Sequence, residues 1–283
     1  MKFLLLLLFA GYFRAAAAPP DSAQAAGTDG LKLGVVIGAS VGAFAVAQVY
    51  QYRTYWSDSE PFHIMPWSNE YDDALTSDKL GHCYFTYWAA NNYRSTLEWT
   101  GMDTLDAAYW SAGLAWAFQL YVEIHDGHSG GAPYLGFSRL DIAANTVGAA
   151  YFIAQQHVPL LRNGLWKIGY WPSDDYRSGK ANSIFNDYTS TYHWFSINPA
   201  GLLGEARPSW LPSWLNVAVG HSVKGIDRYG AGRHEFYVSP DIDFTRLLPQ
   251  DEWLWRSLSR ALNSLKFPLP ALRIAPDVQG VFR

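Results

Sequence analysis

Eight charged or polar residues sit inside stretches that are otherwise apolar and aromatic: Asp78, Lys79 and His82, then Glu123 and Asp126, then Ser138, Asp141 and Asn145. An isolated ion loses several kcal/mol or more on leaving water, so such groups enter apolar surroundings paired, hydrogen-bonded or used in chemistry. The hydrophobic spacing around them predicts three consecutive helices. The first runs from about Thr76 to Trp99. The second runs from Thr104, read as its N-cap, to Ile124, and the third from Ser138 to about Gln156. Bringing the three groups together in one buried polar cluster is the simplest way to satisfy all of them.

Composition narrows the class. The formal net charge of -4 gives no electrostatic call for nucleic acid. Charged residues make up 16%, below the roughly one quarter of ordinary soluble domains, and aromatics also reach 16%. Such a balance suits a protein that meets a membrane interface, and equally a soluble protein with a large aromatic core. The single cysteine, Cys83, excludes an internal disulfide and a Cys-based zinc site. Cys83 follows His82 directly, but adjacent helical residues point about 100° apart, so a small buried core residue is expected rather than a thiol nucleophile.

The N-terminus reads as an export signal. Met1 and Lys2 precede the apolar run 3–13, and an Ala run at 15–18 offers a cleavage zone. Residues 1–25 are therefore assigned to signal peptide and leader, with an uncleaved anchor as the alternative. Leu31–Tyr50 is apolar and rich in small residues, and matches the ~20 residues needed to cross a bilayer. A buried core helix fits it nearly as well.

After Arg162 the character changes. Leu215–Val223 and His234–Phe244 alternate as strands and flank a Gly-rich turn, predicting a hairpin, with Leu165–Trp171 as a further extended segment. Trp253–Leu265 carries an apolar stripe and reads as a last amphipathic helix ended by Pro268 and Pro270. The expected fold is mainly α: a compact bundle of about four apolar helices with a β-hairpin and a C-terminal amphipathic helix appended. Residues 26–160 form the helical core domain in this reading, and 161–283 the extended region.

Each polar group has a functional and a structural reading. Asp78 and His82 are four apart and share a helix face, where a carboxylate fixes an imidazole's tautomer and raises its pKa. Lys79 reaches the same side. The structural alternative is a helix start, with Asp78 near the positive end of the dipole and Lys79 in water. Glu123 and Asp126 supply a carboxylate pair of the kind used in acid/base work. With His125 or His128 they could also ligate a divalent metal, although no established ligand spacing is matched, so no cofactor is predicted outright. Ser138 and Asp141 fit a capping device in which the serine caps an early amide and Asp141 bonds back. That device does not account for Asn145, one turn further along the Asp141 face.

Taken in order, Asp78-Lys79-Leu80-Gly81-His82, Glu123 with Asp126-Gly127, Gly136-Phe137-Ser138-Arg139-Leu140-Asp141, and Ala144-Asn145 with Gly148 resemble the YfiM-like family of predicted periplasmic lipoproteins. The same motifs are more loosely similar to VanZ-like membrane proteins. The resemblance covers Tyr50–Gln156, with an echo at Ser239–Phe244. It implies a periplasmic or outer-envelope, membrane-associated protein and carries the eight polar residues over as the candidate site. No cysteine lies near the leader, which departs from the lipoprotein pattern. Two functions follow as expectations. One is a non-enzymatic envelope protein whose buried polar cluster stabilises a helical core, with membrane or envelope lipid as partner. The alternative is an envelope hydrolase or transferase acting on a lipid or cell-wall precursor, with His82 and the carboxylates as acid and base. A lipid-phosphate phosphatase, suggested by Ser138-Arg139, lacks the neighbouring motif residues.

Overall fold

The structure, a computed structural model, describes residues 27–54, 56–130, 135–178, 187–226 and 231–283. The leader assigned to residues 1–25 lies outside them. Five helices of ten or more residues are described: α1 (Gly30–Thr54), α2 (Ser77–Trp99), α3 (Thr104–Asp126), α4 (Arg139–His157) and α5 (Trp253–Leu262). Six strands follow α4: β1 (Gly164–Tyr170), β2 (Thr191–Ile197), β3 (Leu215–Lys224), β4 (Arg233–Ile242), β5 (Pro270–Ala275) and β6 (Gln279–Phe282). The chain divides into two compact units, one of residues 1–65 and 86–153, the other of residues 66–85 and 154–283. The unbroken helix α2 contributes its first turns to the second unit and the rest to the first.

The helical unit is built on α1, the later turns of α2, α3 and α4. Asp103, rather than Thr104, caps α3, its carboxylate accepting from the amides of Leu105 and Asp106. The Asp103 carboxylate reaches two orphan amides of the first turn. Ala107, Ala108, Ala112 and Ala115 form a buried small-residue stripe on α3. Val36 of α1 packs with Leu97 and Ala107, and Phe44 meets Phe118 edge-on and Tyr121 at a tilt. The rest of α1 is unlike a core helix. Its 24-residue segment Gly30–Arg53 is long and apolar enough to cross a membrane, and only 6% of its best window is buried. Leu31, Val35, Ile37, Val41, Val46 and Val49 are all exposed. The buried-helix reading of this stretch does not hold. The Gly-rich loop after α3 runs beside residues 58–65, joined by the bridges Ser59 to Ser129 and Ile64 to Phe137. Gly127 is required there, since a Cβ would stand 2.5 Å from the Phe62 ring.

The second unit overturns the expectation of a mainly α fold with one hairpin. All six strands join in a single antiparallel sheet ordered β1-β2-β3-β4-β5-β6, so the chain is mixed α and β. The predicted hairpin is there as β3 and β4, paired over ten positions from Leu215 opposite Ile242 to Lys224 opposite Arg233. The physical reason for the miss is that one sheet face is polar yet buried. Lys167, Ser196, Asn216, Ser222, Glu235, Ser239 and Asp241 are buried, whereas Val217, Val219, Phe236 and Leu272 on the other face are exposed. The alternation is thus inverted relative to a half-buried sheet with an apolar inner side. β5 begins with Pro270, so this proline opens a strand beyond its place as a helix stop; a proline is tolerated at the first residue of a strand.

The inner face is held by a satisfied polar network. The Lys167 ammonium lies 2.8 Å from Asp241 Oδ2 and donates to the Ile242 carbonyl at 2.8 Å. Ser196 donates to the same carboxylate at 2.6 Å, and Asn216 donates to Ser196. Trp194 and Tyr237 fill the space beside this network.

The second unit also holds the start of α2. A short helix, Trp67–Asp72, leads into three consecutive non-glycine residues with positive φ: Ala74 at 44°, Leu75 at 50° and Thr76 at 61°. Such residues cost on the order of 1–3 kcal/mol each and cluster where a constrained geometry is used. Here they fix the entry of the helix that carries Asp78, Lys79 and His82.

Candidate functional site

Within the helical unit, Glu123 ends α3 and Asp141 opens α4, at 1% and 5% exposure. Their carboxylate oxygens lie within 4.8 Å of each other. The Ser138 amide donates to Glu123 Oε2 at 3.2 Å, and the Asp141 amide donates to Ser138 Oγ at 3.0 Å. The predicted serine cap is therefore present, but the Ser138 amide bonds to Glu123. The helix N-terminus is electropositive and accounts for why two acids gather there. Deeper in the same unit, Thr86 Oγ1 donates to Asn145 Oδ1 at 2.9 Å between fully buried side chains.

Asp126, expected to pair with Glu123, takes the Trp56 indole N–H at 2.6 Å. Trp56 also stacks on His125, ring centroids 4.5 Å apart. His128 Nδ1 lies 3.4 Å from the Glu60 carbonyl. Sequence reasoning missed Trp56 and Thr86. Trp56 lies in a stretch read as loop, and Thr86 passes as an ordinary helical residue. The one available signal was that Thr86 stands one turn after His82 on the same helix.

Within the second unit, Lys79 contacts Asp78 at 2.8 Å and Glu70 at 4.0 Å, with both carboxylates buried. Lys79 is 11% exposed, so the reading of a solvated lysine fails. Glu70 was not foreseen, because nothing in Asn69-Glu70-Tyr71 marks a buried acid. His82 is half-buried on α2. Cys83 is buried, and burial pushes its thiol up to about 11, which keeps it protonated and unreactive.

Two buried carboxylates this close repel. At an effective dielectric of 20, two unit charges 4.8 Å apart are worth about 3 kcal/mol against each other. A shared proton or a cation relieves that repulsion. A pair of carboxylates is an all-oxygen donor set that suits magnesium, calcium or manganese.

Comparison with known proteins gives one family. Residues 66–155 match the model of a family described as "Predicted periplasmic lipoprotein (DUF2279)". The matched stretch holds all eight candidate residues. It agrees with the export signal read from the leader and sets the chain in the periplasm, associated with the envelope membrane. No curated protein and no solved structure matches the chain.

Proposed function

We propose that this is a periplasmic, membrane-associated protein whose helical core holds a divalent cation through Glu123 and Asp141, and that the cation serves metal-assisted hydrolysis or transfer on an envelope lipid or cell-wall precursor. The observation that carries the reading is the close, buried Glu123–Asp141 pair, whose carboxylate oxygens lie near enough to bind one ion together. A bound divalent ion would polarise a carbonyl or phosphoryl oxygen or activate water.

The chain's own residues set up that chemistry. The Ser138 amide orients Glu123, and the serine cap fixes the turn that presents Asp141. Lys79 is committed to Asp78 and Glu70, so it positions the helix start rather than reaching for an anionic substrate. The exposed apolar side of α1 supports membrane lipid as the partner. The likeness to YfiM-like and VanZ-like proteins belongs to the same proposal; the family match over residues 66–155 supports its coarser part, a predicted periplasmic lipoprotein.

Metal analysis of the purified chain, together with Glu123→Gln and Asp141→Asn, tests the proposal. Wild type should bind one divalent ion through this pair and lose thermal stability on chelation. Each variant should weaken the ion at least tenfold and lose the chelator response. A wild-type chain indifferent to chelator, with either variant more stable than wild type, would show that the carboxylates share a proton and that the cluster is structural.

A further inference from the structure

Three histidines on neighbouring strands lie apart from the carboxylate pair. In the β2–β3 register His193 stands directly opposite His221. Directly paired residues on one sheet face have Cβ atoms about 4.5–5.5 Å apart, so the two rings are neighbours. On the next strand, His234 Nδ1 lies 2.9 Å from His221 Nε2, with ring centroids 5.2 Å apart. A single proton must be shared in that contact, because two neutral imidazoles meeting nitrogen to nitrogen need one donor.

The hydrogen-bond census adds a second observation. His193 is 4% exposed, and neither ring nitrogen has a partner among the described residues. His221 Nδ1 is likewise buried without one. A neutral imidazole has one donor and one acceptor, and burying both unused is costly. Folded chains rarely carry such groups without a reason, and ion binding is one.

We propose that His221 and His234, with His193 opposite His221 on the next strand, form a two-imidazole binding site for a divalent transition-metal ion of the imidazole-preferring kind, with Cu2+, Ni2+ and Zn2+ as the candidates. Imidazole nitrogens bound at 2.0–2.1 Å in a tetrahedral site stand about 3.4 Å apart, so His221 and His234 need separate only by a few tenths of an ångström. The ion would replace the proton between them. Burial and the adjacent histidine hold His193 down at about 3 and His221 at about 4, so both offer lone pairs at neutral pH. His234 is exposed and gives the ion a way in.

The site is independent of the carboxylate pair and is tested separately. Tag-free full chain is stripped with chelator and titrated with Cu2+ at pH 7.5, followed by electron paramagnetic resonance and by competition with a chromophoric chelator. Wild type should show a copper signal with at least two nitrogen ligands. His221→Asn should weaken it at least tenfold and His234→Asn, at an exposed position, severalfold. His193→Gln is informative only if its melting curve matches wild type, and the His221 and His234 variants decide without it. Copper binding unchanged in His221→Asn and His234→Asn, or no nitrogen-ligated copper in wild type, overturns the proposal.

Discussion

Asp241→Asn should be among the most damaging single changes in the sheet. Asp241 is 2% exposed and faces Lys167, fully buried, at 2.8 Å. The substitution removes the counter-charge and leaves the ammonium with the Ile242 carbonyl and, at 3.4 Å, Asn263 Oδ1. Removing one partner of a buried pair costs about 3–5 kcal/mol, mostly because the other charge stays buried and uncompensated. For a chain of this size that is about 6–20 °C in melting temperature. Lys167→Met should cost a similar amount, since Asp241 then keeps only the Ser196 hydroxyl from this network. The double variant removes both charges and should be far better than the sum, with a coupling of at least about 2 kcal/mol. Urea unfolding followed by tryptophan fluorescence is the assay. Trp194 is Lys167's direct cross-strand neighbour and is 1% exposed, so it reports on this part of the sheet. Single variants within 1 kcal/mol of wild type, with an additive double, would refute the claim that the inner face depends on this pair.

Two further outcomes follow from the same face. Gly220→Ala places a Cβ 2.6 Å from the Trp194 ring, and the fused ring has no soft end to move; the change should destabilise by about 1–3 kcal/mol in urea melts. Lys266 is held down at about 8 by burial, with Asp241 opposing and Lys167 adding to the shift. Its folded pKa therefore lies below the unfolded value of about 10.4. As pH rises past about 8 the folded state releases this proton first, the unfolded state binds more, and stability rises. Denaturation midpoints should climb between pH 8 and 9.5 by up to about 2 kcal/mol, and Lys266→Met should flatten that part of the curve. A wild-type profile that falls over this window would contradict the assignment.

The helices of the matched region were legible because their hydrophobic spacing is long and regular. α2, α3 and α4 start and stop within two residues of expectation. The sheet was not, because half of its buried positions are polar. Lys167, Ser196 and Asp241 look like surface residues until register places them side by side. β2 shows the difficulty: Thr191–Ile197 is buried at nearly every position, so it lacks the two-residue alternation that marks a strand. Among the site residues, Ser138 and Asp141 announced themselves through the capping pattern. Asp126 did not, since its partner Trp56 lies 70 positions away.

By itself the sequence determined the helices of the first unit, the β3–β4 hairpin and the identity of the acids and imidazole that apolar surroundings do not tolerate alone. Those follow from local spacing and from the cost of desolvating a charge, both of which are properties of a short window. Only the tertiary structure decided which groups satisfy one another. Glu123 turned to the start of α4, Asp126 to Trp56, Lys79 to Glu70, and a six-stranded sheet buried its own polar face. Hydrogen bonds and ion pairs form across space with no sequence period, so their partners become fixed when the chain has packed.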